Sequence, residues 1–297
     1  MSFLERSATH STQGPSLAHQ PPPKAIWLSA KQMSRLAILA AIAGVCLFGY
    51  SGRHVLAKTG QAADAKDAAS AINPDAVDAV KKMGAYLRSL KVFQVLGDVT
   101  HDDVLEDGLI IQSSSKIDML AARPNRMRVE VTSDDKHRLY LYDGKTFTAW
   151  GKLTNYYATV AAPPTIPELF QQVQDKFDIE LPLIDLFKWG TNEDDINKIK
   201  TAIDAGPTTV EGVTCEQYVF HQEGVDWQVW IQLGDFPLPR RLVITTLTDE
   251  ARPQHTITLA WNLAPSFNDA AFVFYPPPDA KRILFEGQTA DDTKKGK

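Results

Sequence analysis

From residue 92 onward, apolar residues recur at every second position, and Glu-Gly or Asp-Gly pairs break the runs. That period belongs to strands with one buried and one wet face, and such tight turns return the chain at once, so neighbouring strands run antiparallel. Phe93, Val95, Gly97 and Val99 open the series ahead of Glu106-Asp107-Gly108. Ile117, Met119 and Ala121 come next, then Met127, Val129 and Val131 alternating with Arg126, Arg128 and Glu130. Leu139 and Leu141 lead into Asp143-Gly144, Phe147 and Ala149 lead out, and Tyr156 to Val160 adds a further strand. The pattern resumes at Tyr218 and Phe220, at Val225 to Leu233, at Leu242 to Thr246, at Ile257 to Trp261, and at Phe272 and Phe274. About ten or eleven antiparallel strands joined by hairpins make a strongly twisted sheet, one face of which needs a cover.

Two stretches with helical spacing are the available cover. Asn73-Pro74-Asp75 is a helix start, with Asn as cap, Pro at the first position and an acid in the first turn. Ala76, Val80, Met83, Leu87 and Leu90 then form one apolar stripe. Between the two groups of strands, Pro163-Pro164 stops the sheet and Thr165 with Glu168 forms a capping box. Ile166, Leu169, Phe170, Val173 and Phe177 follow as a helical stripe, and Leu183, Leu186 and Phe187 predict a short second helix. Asn192-Glu193-Asp194-Asp195 opens a third, with Ile196, Ile199 and Ile203 on its inner face, so the insert is expected to stay helical from about 164 to 205. The class is α+β, mainly β.

The first seventy residues read as an address. Leu36 to Gly52 are 17 uncharged residues bounded by Arg35 and Arg53. That is short for a spanning helix, which wants ~20, and ample for the core of an export signal, which wants ~7–15. Val55-Leu56-Ala57 is a cleavage candidate, so residues 36–57 are a signal peptide or a retained inner-membrane anchor (through 36–52). Residues 1–35 are a polar leader or follow a misplaced start, since translation from Met33 would give a compact signal. A lipoprotein signal needs a small residue before its acylated Cys, and Val45 precedes Cys46. Residues 58–72 are a solvated linker, 73–285 the folded domain, and 286–297 a polar tail expected to be disordered.

Charge and composition exclude several functions. The 297-residue chain carries a formal −5, but residues 1–70 hold seven Lys/Arg against three Asp/Glu, leaving −9 on residues 71–297. An acidic folded part does not bind nucleic acid, which needs clustered cations. Two cysteines rule out a disulfide scaffold and a four-cysteine zinc site. Nucleophile elbows, zinc-protease signatures, phosphate loops and C-x-x-C are all missing from the sequence. Cys215 and His221 lie six strand positions apart, roughly 20 Å at ~3.3 Å per residue, too far to share a metal; Cys215 reads as a small buried thiol. The acids Asp102, Asp103, Glu106 and Asp107 lack calcium-loop spacing and read as a solvated hairpin end. No acid, base and nucleophile assemble, so no enzymatic activity, cofactor or metal is expected.

Several segments carry a resemblance. Ala122-Arg123-Pro124-Asn125-Arg126-Met127-Arg128-Val129, then Tyr142-Asp143-Gly144-Lys145-Thr146, Tyr156-Tyr157-Ala158-Thr159 and, near the end, Phe272-Val273-Phe274-Tyr275-Pro276-Pro277, stand in the same order as motifs of the LolA family of periplasmic lipoprotein carriers. The span from about Asn73 to Phe285 is similar to a family of predicted periplasmic proteins, domain of unknown function 2092; it includes Pro182-Leu183-Ile184-Asp185-Leu186, Asp226-Trp227-Gln228 and Pro237-Leu238-Pro239-Arg240-Arg241. The resemblance implies a curved antiparallel half-barrel whose concave apolar face is lidded by helices, with acyl chains held between sheet and lid. It also implies a latch at Arg123, hydrogen-bonded to lid backbone; the bland alternative is a strand-entrance residue packed on Pro124. The helical insert departs from the carrier pattern.

The expected function is therefore a periplasmic protein that holds the acyl chain of a lipid or lipidated protein. The expected lining is Leu87, Phe93, Met127, Val129, Leu139, Phe147, Phe170, Phe177, Leu186, Phe187, Trp227 and Trp261. The alternative is a periplasmic interaction or envelope-sensor module without a lipid ligand, working through sheet edges or its acidic exterior.

Overall fold

A computed structural model describes residues 71–189 and 196–285 of the chain. The leader, the apolar run, the linker as far as residue 70, the helix start at 192–195 and the tail from 286 lie outside the described residues; the linker's last two residues, Ala71 and Ile72, lie beside Ala202 of the sheet.

Helix α1 (Pro74–Ser89) starts where the sequence places it: the Asn73 side chain accepts the Asp75 N–H at 2.8 Å, and Ala76, Val80, Met83 and Leu87 are buried. Six strands follow as a meander: β1 (Val92–Val104), β2 (Ile110–Ala122), β3 (Arg126–Ser133), β4 (His137–Tyr142), β5 (Thr146–Gly151) and β6 (Tyr156–Ala161). Helix α2 (Ile166–Phe177) and the one-turn α3 (Asp185–Lys188) come next. A second meander, β7 (Thr201–Val210), β8 (Val213–Gln222), β9 (Val225–Gln232), β10 (Pro239–Thr246) and β11 (Gln254–Asn262), completes the main sheet. A two-residue β12 (Lys281–Arg282) runs parallel to β6.

The sheet order is β12-β6-β5-β4-β3-β2-β1-β11-β10-β9-β8-β7, so the first and last long strands of the domain are neighbours. Each meander spreads from that junction toward its own edge. The connection from β6 to β7 must then pass from one end of the sheet to the other, and it carries α2 and α3 across the concave face. This topology is why the insert becomes a lid. The register puts Phe93, Ala121, Met127 and Tyr142 in one cross-strand row facing the helices, and Val95, Met119, Val129 and Tyr140 in the next. These residues join α1, α2 and α3 in one apolar core.

Four expectations are corrected. The strands number twelve among the described residues, against ten or eleven. Residues 201–205 are not helical: they begin β7, which pairs Thr201 with His221 and Val210 with Val213, and Ile203 is half exposed. The spacing of Ile196, Ile199 and Ile203 is helical, but Gly206-Pro207 downstream belongs in no helix interior, and Gly206 makes a bulge at φ +93°. Phe272 and Phe274 are not in a strand either. Asp269–Phe272 is a single 3-10 turn, and Pro276, Pro277 and Pro278 have no N–H to give a ladder.

The fourth concerns Leu139 and Leu141. They are buried, but their cross-strand partners are Glu130 with Trp150 and Arg128 with Thr148, which places them on the convex face. A strap formed by residues 263–280 reaches that face: Asp269 pairs with Arg126, and the Phe274 ring lies 4.9 Å from Tyr157 and 5.5 Å from Trp150. Its continuation rounds the sheet edge, where Lys281 N–H donates to Asn155 (2.9 Å) and Ile283 N–H to Tyr157 (2.8 Å). Phe285 finally enters the core on the concave side, 4.8 Å from Phe177 and 6.2 Å from Phe147. Leu139 was misplaced because four consecutive residues, Leu139 to Tyr142, are buried, two by the lid and two on the other face.

Candidate functional site

The seam between sheet and lid is built from aromatic rings. Phe93 on β1 lies 5.6 Å from Trp261 on β11 and 5.8 Å from Phe187 on α3, and Phe187 in turn meets Phe170 on α2 edge-on at 5.2 Å. Leu87 of α1, Leu186 of α3, and Met127 and Val129 of β3 are buried in the same cluster. Phe147, Phe177 and Phe285 form a second knot near the β6 edge, to which Tyr140 adds a stacked ring 6.1 Å from Phe147. Trp227 is only partly buried and stacks on Phe220 at 4.0 Å, farther along the concave face. Eleven of the twelve expected lining residues thus belong to the apolar core or its margin, and Leu139 stands behind the sheet.

The space is occupied. Phe187 fills the gap between Phe93 and Phe170, where the resemblance implied a hollow. Two clefts lie elsewhere. One, of about 260 Å³, is on the convex face among Leu96, Lys116, Asp118 and Glu130; the other, of about 330 Å³, opens between α1 and the β9–β10 turn, beside Lys82, Tyr218 and Leu233.

Backbone contacts set how the lid is held. Pro124 carbonyl accepts the Ile166 N–H at 2.9 Å, tying the start of α2 to the β2–β3 turn. Tyr142 donates its hydroxyl to the Pro163 carbonyl just ahead of α2, and burial pushes that phenol up to about 12. Arg88 of α1 donates to the Trp189 carbonyl at 2.7 Å, at the end of α3. A Cβ on Gly84 would come within 2.8 Å of the same oxygen, so α1 needs glycine there for α3 to approach. These holding residues carried no signal in the alternation, except that a glycine within a helical stripe marks a close approach.

Arg123 sits between β2 and β3, beside the lid. Its N–H donates to the Lys91 carbonyl at 2.8 Å, and its guanidinium lies 4.7 Å over the Phe187 ring. The resemblance implied a hydrogen bond from this side chain to lid backbone; the contact is instead with a lid ring, and the backbone tie comes from Pro124. Nε and Nη2 of Arg123 are shut off from solvent without an acceptor, and burial lowers the guanidinium pKa from its ordinary value.

The remaining chemistry-bearing groups are dispersed. Cys215 is fully buried, its thiol pushed up by burial and directed at the Val213 carbonyl (3.4 Å), while His221 pairs with Asp226 at 2.7 Å. No three His, Cys, Asp or Glu among the described residues are grouped to hold a metal. No helix among them is long and apolar enough to cross a membrane.

A curved antiparallel sheet with an apolar concave face, closed by helices on a crossing connection, defines a lidded half-barrel. The chain belongs to the DUF2092 family of predicted periplasmic proteins, whose model matches residues 76–286, and its compartment is the periplasm. No curated protein matches it. Among solved structures it is similar to LprF from Mycobacterium bovis, at 14% identity over 66% of this chain and 96% of that one, with a TM-score of 0.42. It is likewise similar to the lipoprotein LppX of Mycobacterium tuberculosis (11%, 66% and 100%, TM-score 0.41) and to a LolA superfamily protein from Nitrosomonas europaea (9%, 67% and 97%, TM-score 0.32).

Proposed function

We propose that this periplasmic protein binds the acyl chain of a lipid or lipidated protein in the seam between sheet and lid, and that Phe187 is the plug the chain displaces. The supporting observation is the Phe93–Phe187–Phe170 contact, in which a ring on a four-residue helix fills an otherwise continuous apolar wall. Magnitudes favour exchange. Expelling a buried Phe costs about 1.5–3 kcal/mol, whereas a sixteen-carbon chain gains on the order of 12 kcal/mol at ~0.8 kcal/mol per methylene, before ordering costs. No general base is needed for such a task, only an apolar wall and a lid of modest local stability.

Native mass spectrometry of protein recovered from the periplasm tests this. Bound species with lipid masses, increased by Phe187→Ala, are expected; repeated recovery of the bare chain in both forms would defeat the reading.

A second reading, a protein-interaction module, has its own observation. Beyond His101 and Ser115 the β1–β2 hairpin outruns its neighbours, and its projecting end exposes Leu105, Leu109, Ile110 and Ile111. A photoreactive residue at position 109 would give one discrete cross-linked protein in cells under this reading, and only diffuse labelling under the other.

A further inference from the structure

Nearly every buried polar side-chain atom among the described residues has a partner, and the four that lack one fall on three residues: His101, His255 and, with two, Arg123. Those two are Nε and Nη2, the pair on the open side of the guanidinium that presents two parallel N–H groups to a carboxylate or phosphate. The backbone that carries this side chain is fixed on both sides. Its own N–H is bonded to the Lys91 carbonyl, and the next residue's carbonyl is bonded to Ile166. Its guanidinium lies over the face of Phe187, the same ring that plugs the seam. Shutting two N–H groups of a half-buried cation away from water without a counter-charge is costly, and a ring face offsets only part of that cost.

Resting on the acyl-binding reading, we propose that the ligand's polar end is an anionic oxygen head, carboxylate or phosphate, and that Arg123 receives it through Nε and Nη2. The plug and the cation are then two halves of one site. In the closed form Phe187 covers both the apolar wall and the guanidinium; when an acyl chain displaces the ring, the two unpaired N–H groups lie beside the lid, where the chain ends. A neutral ester offers one weaker acceptor and no charge, so the seam discriminates by head as well as by chain.

Displacement of the neutral dye N-phenyl-1-naphthylamine from the full exported chain, by palmitate or by methyl palmitate at pH 8, tests this. Wild type is expected to bind palmitate at least tenfold more tightly than the methyl ester. The ratio is expected to fall within twofold in Arg123→Gln and to recover in part in Arg123→Lys, with thermal melts verifying that each variant is folded. Equal affinity for the two lipids in wild type, or an unchanged ratio in Arg123→Gln, overturns the inference and leaves acyl binding standing. If neither lipid displaces the dye, the acyl reading falls with it. Acetate or inorganic phosphate that blocks palmitate at equal concentration would make this a free-anion site and also overturn the inference.

Discussion

Two side chains on opposite faces of the sheet divide the acid response between them. Glu130 on the convex face accepts from His137 (2.6 Å) and Lys152 and pairs with Arg128, and these partners outweigh burial to bring its carboxyl down to about 2. A carboxylate lowered in the folded state gives stability that is complete above its unfolded value and is lost as pH falls toward 2. His255 works in a different window. It faces His101 across β1 and β11 with ring centroids 5.6 Å apart, Asp103 lies 3.7 Å from His101, and burial followed by the His101 charge brings His255 down to about 4. The unfolded chain takes up this proton near 6.5 and the folded one only near 4, so stability declines as pH drops from 6.5 to 4. Urea melts are expected to show His255→Gln flattening the slope between pH 6.5 and 4. Glu130→Gln is expected to cost about 1–2 kcal/mol at pH 7 and only a small fraction of that at pH 2. A wild-type profile flat from 6.5 to 4 would contradict the first.

At the scale of elements, the lid is held by a few backbone ties rather than by its own length. Helix α3 has a single turn, and the Arg88–Trp189 bond at Gly84 is what fixes its end against α1. Gly84→Ala is expected to push the Trp189 carbonyl away, because helix backbone on one side and a carbonyl on the other leave no flexible atom to yield. Hydrogen exchange should speed up at residues 185–189 with the sheet unchanged; an unchanged lid would mean the strut is not the restraint. The elements themselves were largely legible. Asn73-Pro74 and Thr165 with Glu168 gave helix starts, and Glu106-Asp107-Gly108 and Asp143-Gly144 gave hairpins, because capping and positive φ depend on local chemistry. Spacing alone cannot report a partner strand at Ile203 or its lack at Phe274; the prolines downstream, Pro207 and Pro276 to Pro278, are what argue against a helix at the first and a strand at the second. Leu139 is buried on the convex face, and the strap that lies against its cross-strand neighbour Trp150 comes from more than a hundred residues downstream, beyond the reach of local spacing.

For the whole molecule, the apolar concave wall could be read from alternation, but not whether it stands open. Phe187 sits in the seam through the path of the β6–β7 connection, and no periodicity encodes that. Phe285 is similar: a lone aromatic after a Pro-rich stretch, which the strap delivers into the core from around the sheet edge. Phe285→Ala is expected to cost about 3 kcal/mol and to lower the thermal midpoint cooperatively; a change below about 0.5 kcal/mol, the size of a surface substitution, would place that side chain outside the core. Leu105, Leu109, Ile110 and Ile111 form a cluster of exposed apolar residues at the end of the β1–β2 hairpin, away from the seam.

The ladder between β1 and β11 joins Val95 to Trp261 and His101 to His255. A chain that leaves its translocation channel amino-terminus first therefore presents β1 with one unsatisfied side while some hundred and fifty further residues are still arriving. During that interval the half-made sheet is a sticky edge in a compartment without ATP, and closing it late is a slow, long-range step.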